Sequence, residues 1–184
     1  MTYDLHLGDC LDIMPKLAEG GVDMVFADLP YGVTANAWDA VIPFEPLWEG
    51  LLRCGSPSCA FAFTATQPFA TALISSQPKL FRYDLIWEKN QPSGFVNANK
   101  MPLKTHESIC VFYKSTPAYN PQKLQGKAYS KRDTGKAPSQ NYHGAQPPKG
   151  TRQYDGARHP TTVLCVPLDH RKSMAHPTDR KSVV

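Results

Sequence analysis

The chain has no long hydrophobic run. Nothing in its 184 residues approaches the roughly 18 consecutive apolar residues of a membrane helix. It also lacks a basic start followed by an apolar core, because it opens MTYDLHLGDC, so no secretory signal is expected there. Cysteine is sparse and unpatterned. The five cysteines include no Cys-x-x-Cys pair, and the closest two, Cys54 and Cys59, have no histidine cluster beside them. This argues against a zinc site and against a disulfide framework, and leaves reduced thiols in a cytoplasmic protein as the expectation. The hydrophobic fraction of 41% and the length suit one globular domain with a real core.

Acids are scarce in one region. From Lys114 to Arg158 there are nine Lys or Arg against two acids, Asp133 and Asp155. The whole chain carries +4, so this segment is +7 and the remainder −3. Between Ser115 and about Pro160 the residues Pro, Gly, Lys, Gln and Ser dominate, and no helical or strand period survives. A structureless stretch of about 45 residues is unusual in a compact domain. Tyr119, Tyr129, Tyr142 and Tyr154 are interleaved with the bases, and basic plus aromatic is the composition that holds phosphates and stacks bases. A solvated insert with no partner is the alternative.

Outside that insert the pattern is regular. YDLHL (3–7) alternates and reads as a short strand. Leu11, Met14, Leu17 and Ala18 fall at helical spacing, closed by Gly20 and Gly21. VDMVFAD (22–28) is apolar enough for a strand buried on both faces, as in a parallel sheet. An amphipathic helix over FEPLWEGLLRC ends near Gly55, and SCAFAFTAT is a third strand. QPFATALISSQ is a helix with Pro68 in its first turn. FRYDLIWEK, ESICVFYK and TTVLCVPL are further strands. Strands alternating with helices predict an α/β sheet, whose ligands sit at the carboxyl ends of its strands.

At one such end lies VFADLPYG. A structural corner needs only the proline and the glycine. The added acid and aromatic have chemical uses. Asp28 is a hydrogen-bond acceptor, and the carbonyl of Leu29, held extended before Pro30, is a second. Two acceptors about one base edge apart grip an exocyclic amino group and orient its lone pair, while Tyr31 stacks on the ring of a base extruded from its duplex. A β-to-loop corner with a capping aspartate is the plain alternative.

VDMVFADLPYG resembles the motif IV strand of amino-group DNA methyltransferases, usually Asp-Pro-Pro-Tyr; Leu29 replaces the first proline and keeps the carbonyl. HLGDCLDIMPKLAEGGVD, WDAVIPFEPLW, FTATQPFATALI, LIWEKNQPSGFVNANKMPLKTHESICVFYK and HPTTVL resemble successive blocks of bacterial and phage site-specific adenine-type enzymes. HPTDRK resembles their His-Pro-Thr-Gln-Lys motif. The resemblance spans nearly the whole chain, in the β arrangement, with the catalytic half first and the cofactor half last.

The resemblance implies a Rossmann-like S-adenosylmethionine-dependent methyltransferase sheet, incomplete at its C-terminal side. It divides the chain into a catalytic α/β half (1–114), a basic target-recognition insert (115–160), and a returning strand with the start of a cofactor motif (161–184). It implies methyl transfer to the exocyclic amino group of a flipped base. The catalytic set is Asp28, Leu29, Pro30 and Tyr31. Double-stranded DNA would be held by Lys123, Lys127, Lys131, Arg132, Lys136, Lys149, Arg152 and Arg158. Asp9, Asp28, His176 and Thr178 would lie near the cofactor, although Asp9 equally suits a helix cap, and Lys181 is one position later than the family's lysine. His106 and Glu107 either orient the corner or serve local structure.

An acid in the first motif position leans towards adenine N6, with cytosine N4 as the alternative. It argues against protein-glutamine and RNA-base enzymes, which more often carry Asn there. No cysteine follows a proline, which excludes carbon-5 cytosine chemistry. The family's Phe-x-Gly-x-Gly cofactor turn is absent, and the twelve glycines include no Gly-x-Gly. A second chain or a further C-terminal segment supplying that loop, self-association, and a DNA-binding fragment without catalysis all stay open.

Overall fold

The computed structural model describes residues 3–133 and 150–166. The described chain divides into two compact units, Met1–Ala118 with Thr162–Val184, and Tyr119–Thr161.

The first unit is built on a five-stranded mixed sheet, and the α/β class expected from the sequence is found. Its strands are β1 (Val22–Asp28), β2 (Gly55–Ala65), β3 (Phe81–Ser93), β4 (Lys104–Phe112) and β9 (Val163–Cys165), in the order β1-β2-β4-β3-β9. β1 runs parallel to β2, and β9 runs parallel to β3. β4 is antiparallel to both of its neighbours. The sheet is therefore mixed, with β4 as its antiparallel member. The reason lies in the link between β3 and β4, which holds only a 3-10 turn at Phe95–Asn97 after Gly94. Without a crossover helix the chain can only double back.

Helices α2 (Phe44–Cys54) and α3 (Phe69–Ser76) cover one face of the sheet. Leu47, Trp48 and Leu51 of α2, with Phe69 and Leu73 of α3, pack on Phe61, Phe63, Cys110 and Phe112. Trp48 is the hub: its ring meets Phe61, Phe63 and Phe112 at 5.0–6.1 Å between centroids. Its indole N–H donates to Ser76 Oγ at 2.8 Å, which satisfies the one polar atom it buries. α2 ends where β2 begins, at Gly55. A Cβ there would meet the Phe61 ring at 2.8 Å and the Leu51 carbonyl at 3.1 Å, so a side chain would crowd the junction of helix and strand.

The other face is thinner. Ala62, Ile109 and Val111 are buried under Leu85, Trp87, Tyr113 and Leu164. At its β1 edge Met24 and Phe26 are about 60% exposed. Among the described residues no helix covers this face, so β1 is not buried on both sides as its composition suggested. An apolar run records what a strand can bury, and leaves open whether a covering layer is present.

Three further expectations change. Residues 3–7 form no strand: Leu5 and Leu7 are exposed and pair with nothing among the described residues. Alternation supplies a face but cannot supply a ladder partner. The helix expected over 10–18 is a single α turn, α1 (Cys10–Ile13), followed by a 3-10 turn at Met14–Lys16 that contains Pro15. A proline has no N–H to continue the α ladder. Pro68 stands at the N-cap of α3 rather than inside its first turn.

The Tyr119–Thr161 unit is not wholly irregular. β5 (Leu124–Gln125) pairs with β8 (Ala157–Arg158), and β6 (Tyr129–Asp133) pairs with β7 (Gly150–Tyr154), both antiparallel. These strands are too short and too polar to show a period.

Candidate active site

β1 delivers Asp28 to the carboxyl end of the parallel pair, where it stands opposite Thr64 of β2. The chain then turns through Leu29, Pro30 and Tyr31. Tyr31 swings back so that its hydroxyl donates to Asp28 Oδ1 at 2.7 Å and lies 2.8 Å from Thr64 Oγ1. The Thr64 hydroxyl also donates to Asp28 Oδ1. These contacts share two hydroxyl protons, and whether Tyr31 donates directly or through Thr64, the chain of donors ends on Oδ1. Asp28 itself is exposed, and its Oδ2 has no partner among the described residues. The carboxylate is thus fixed by one oxygen and open at the other.

Burial pushes the Tyr31 phenol well above its ordinary value; the Thr64 hydrogen bond opposes the rise, and the Asp28 and Glu107 charges add to it. Tyr31 is therefore a neutral donor throughout the physiological range. One side of its ring packs on Phe69 at 5.2 Å, tilted by 33°.

A second carboxylate sets the loop that follows. Asp39 is buried. Its Oδ1 accepts the Gly32 N–H at 2.9 Å, and its Oδ2 accepts those of Val33 and Thr34 at 2.9 and 2.6 Å. Burial alone would raise its pKa, but the Thr34 side chain and the N–H groups of Gly32, Thr34 and Val33 outweigh it and hold the carboxyl at about 2. Gly32 has φ +68°, and a Cβ there would strike Val41 at 2.9 Å, so the turn out of Tyr31 needs glycine. Together Gly32 and Asp39 lock the corner in place.

On the β3–β4 side, Lys89 pairs with Glu107 at 2.5 Å and lies 5.4 Å from the centre of the Trp87 ring. The Trp87 indole N–H is buried and has no hydrogen-bond partner among the described residues. His106 stands opposite Glu88 in the ladder.

The structure brings Asp28, Leu29, Pro30 and Tyr31 together as the sequence groups them. Asp9 is an N-cap: its carboxylate accepts the Leu11 N–H at 2.8 Å. Lys123, Lys127, Lys131, Arg132, Arg152 and Arg158 are exposed on the Tyr119–Thr161 unit. Lys136, Lys149, His176, Thr178 and Lys181 lie outside the described residues. All five cysteines are free; burial pushes Cys110 up to about 11, far from a reactive thiolate. Among the described residues no group of His, Cys, Asp and Glu could hold a metal ion, and no helix is long and apolar enough to cross a membrane.

Sequence reasoning missed Thr64 and Asp39. Thr64 is a polar residue on the strand beside β1, at the same level as Asp28, and only the pairing register reveals the contact. Asp39 left a fainter signal, an acid seven residues past a glycine turn.

No family model matches the chain, and no curated protein matches it. Among solved structures it is similar to the PvuII DNA methyltransferase (cytosine-N4-specific), at 12% identity and a TM-score of 0.48 over 61% of this chain and 49% of that one. It is similar to an M1.HpyAVI–SAM complex, at 15% identity and a TM-score of 0.48 over 66% of this chain and 60% of that one. It is also similar to TTHA0409 of Thermus thermophilus, a putative DNA modification methylase complexed with S-adenosyl-L-methionine, at 17% identity and a TM-score of 0.46 over 66% of this chain and 57% of that one. The chain spans between about half and three-fifths of the length of these structures.

Proposed function

We propose that this chain carries the methyl-acceptor side of an amino-group DNA methyltransferase, acting most directly on adenine N6. The observation that supports this is the state of Asp28. Two hydroxyls hold Oδ1 of this exposed residue at the carboxyl end of β1, while Oδ2 has no partner among the described residues. A carboxylate oriented in this way accepts one N–H of an exocyclic amino group, and the Leu29 carbonyl accepts the other. With both protons held, the nitrogen lone pair stands out of the base plane. The Tyr31 ring is the stacking partner proposed for the base.

S-adenosylmethionine is the proposed donor and supplies an electrophilic methyl on sulfur. The described residues fit the acceptor base and offer no full cradle for this cofactor. Asp9 is engaged as a helix cap, and His176 and Thr178 complete the cofactor set as part of the proposal. The chain's own contribution is orientation and charge. As the nitrogen becomes cationic, the fixed negative charge of Asp28 stabilises it, and Oδ2 is placed to receive the proton the amine then loses. Tyr31 stays neutral and keeps donating to Oδ1. No covalent intermediate is needed.

The basic Tyr119–Thr161 unit is the proposed DNA-holding element. The test is to incubate the folded chain with unmethylated duplex DNA and labelled S-adenosylmethionine, then digest the DNA and identify the labelled nucleoside. Labelled N6-methyladenine is expected. N4-methylcytosine would keep the mechanism and change the base. Absence of label in a folded, DNA-bound sample would leave a binding module without catalysis.

A further inference from the structure

In an antiparallel pair, directly opposed residues share a face. The register of β6 and β7 therefore sorts their side chains. Tyr129 stands opposite Tyr154 and Lys131 opposite Arg152, all on one face. Ser130 stands opposite Gln153 and Arg132 opposite Thr151, all on the other. The first face begins with a stacked tyrosine pair, centroids 4.8 Å apart and planes 8° from parallel, which stiffens the ribbon. The second has no aromatic or aliphatic side chain. Its two hydroxyls, one amide and one guanidinium are exposed, and none has a hydrogen-bond partner among the described residues.

We propose that this ribbon enters the major groove of double-stranded DNA, with Ser130, Arg132, Thr151 and Gln153 turned to the base edges. Size permits it: strands lie about 4.8 Å apart, and a B-form major groove about 12 Å wide admits a two-stranded ribbon. Chemistry favours it. A guanidinium bonds guanine O6 and N7, an amide bonds adenine N6 and N7, and a threonine methyl packs on the thymine methyl. Charge favours it too, since residues 119–161 hold eight Lys or Arg against two Asp, the balance that draws in a polyanion. Lys131, on the opposite face, and Lys127, just before β6, then serve the flanking phosphates. Duplex RNA fits poorly, because its major groove is too deep and narrow for side chains to read. The inference rests on DNA as the substrate but not on which base atom is methylated.

The test is selection of bound duplexes from a random-sequence pool by the wild-type chain and by Arg132→Ala, Gln153→Ala and Lys131→Ala variants, followed by anisotropy titrations across salt concentration. These positions are exposed, and circular dichroism checks that each variant is folded. Arg132→Ala is expected to lose a guanine preference and Gln153→Ala an adenine preference, each at one position and by about tenfold or more. Lys131→Ala is expected to weaken all sequences alike and to lower the log–log salt slope by about one. An unchanged selected motif in both Arg132→Ala and Gln153→Ala overturns the proposal. So does equal competition by an RNA duplex, or no duplex binding by the folded wild-type chain. Methyl transfer that persists with an unchanged motif sinks the ribbon and spares the methyl-acceptor reading. Sequence-selective binding without methyl transfer does the reverse.

Discussion

Asp28 owes its orientation to two neighbours with different origins. Tyr31 arrives from its own turn, whereas Thr64 arrives from the adjacent strand, and both engage Oδ1. Thr64 is buried at 5% exposure, so its hydroxyl is held for this bond rather than for solvent. Replacing Thr64 with Val keeps the shape and removes the donor. We expect kcat to fall about tenfold to a hundredfold with KM little changed, because misplacement costs rate rather than binding. Thr64→Ser should restore most of it, and steady-state kinetics on the three forms will show whether it does. Asp39 acts on the loop behind Tyr31. Its folded pKa of about 2 lies below the unfolded value of about 3.9. The stability it contributes is therefore present above pH 4 and is lost as pH falls from about 4 towards 2. Asp39→Asn should flatten the acid limb of a stability–pH curve over that window; an unchanged limb would show that the loop is held by something else. The acid-aromatic corner was legible in the sequence because four adjacent residues carry it. Thr64 was not, because its contact crosses 36 positions and depends on register.

At the scale of elements, helix α2 packs on the site strands around a central residue, with Leu47 and Leu51 beside it. Trp48 is 2% exposed and wedged against Phe61, Phe63 and Phe112. Trp48→Ala should cost about 3–5 kcal/mol in denaturant unfolding, and Ser76→Ala about 1 kcal/mol, from the lost partner of the indole N–H. A cost below 1 kcal/mol for Trp48→Ala would mean that α2 is not anchored there. Helices α2 and α3 and strands β2, β3 and β4 were readable because each has an apolar period or run longer than a turn. Residues 3–7 alternated and still formed no strand, since pairing is a property of two segments. The ladders β5–β8 and β6–β7 have the opposite problem. They are two to five residues long and mostly polar, too short to show a hydrophobic period. The antiparallel course of β4 could be read from the missing helix between residues 93 and 104, a signal that lies in the link rather than in either strand.

For the whole molecule, the two sheet faces are unequal. One is sealed by α2 and α3, whereas the other shows Met24 and Phe26 at about 60% exposure. An exposed apolar edge of this kind favours contact with other apolar matter. The native chain should bind a hydrophobic dye, and the Met24→Thr/Phe26→Thr double variant should bind less of it while remaining folded. Equal dye binding by both would place the accessible apolar surface elsewhere. The strand composition foretold an apolar face, but composition cannot say what covers it. The charge division was plain from the sequence alone, because a count of Lys and Arg needs no fold. Its arrangement on a ribbon required the structure.

The most direct test of the central claim is a paired measurement on Asp28→Ala: methyl transfer to DNA and affinity for the same DNA. On the proposed function, in which Asp28 orients the amino group and the basic unit holds the duplex, transfer is expected to be abolished while affinity stays within a few fold of the wild-type chain. Retained turnover in this variant would contradict the assignment of Asp28, and with it the reading of the corner as the methyl-acceptor site.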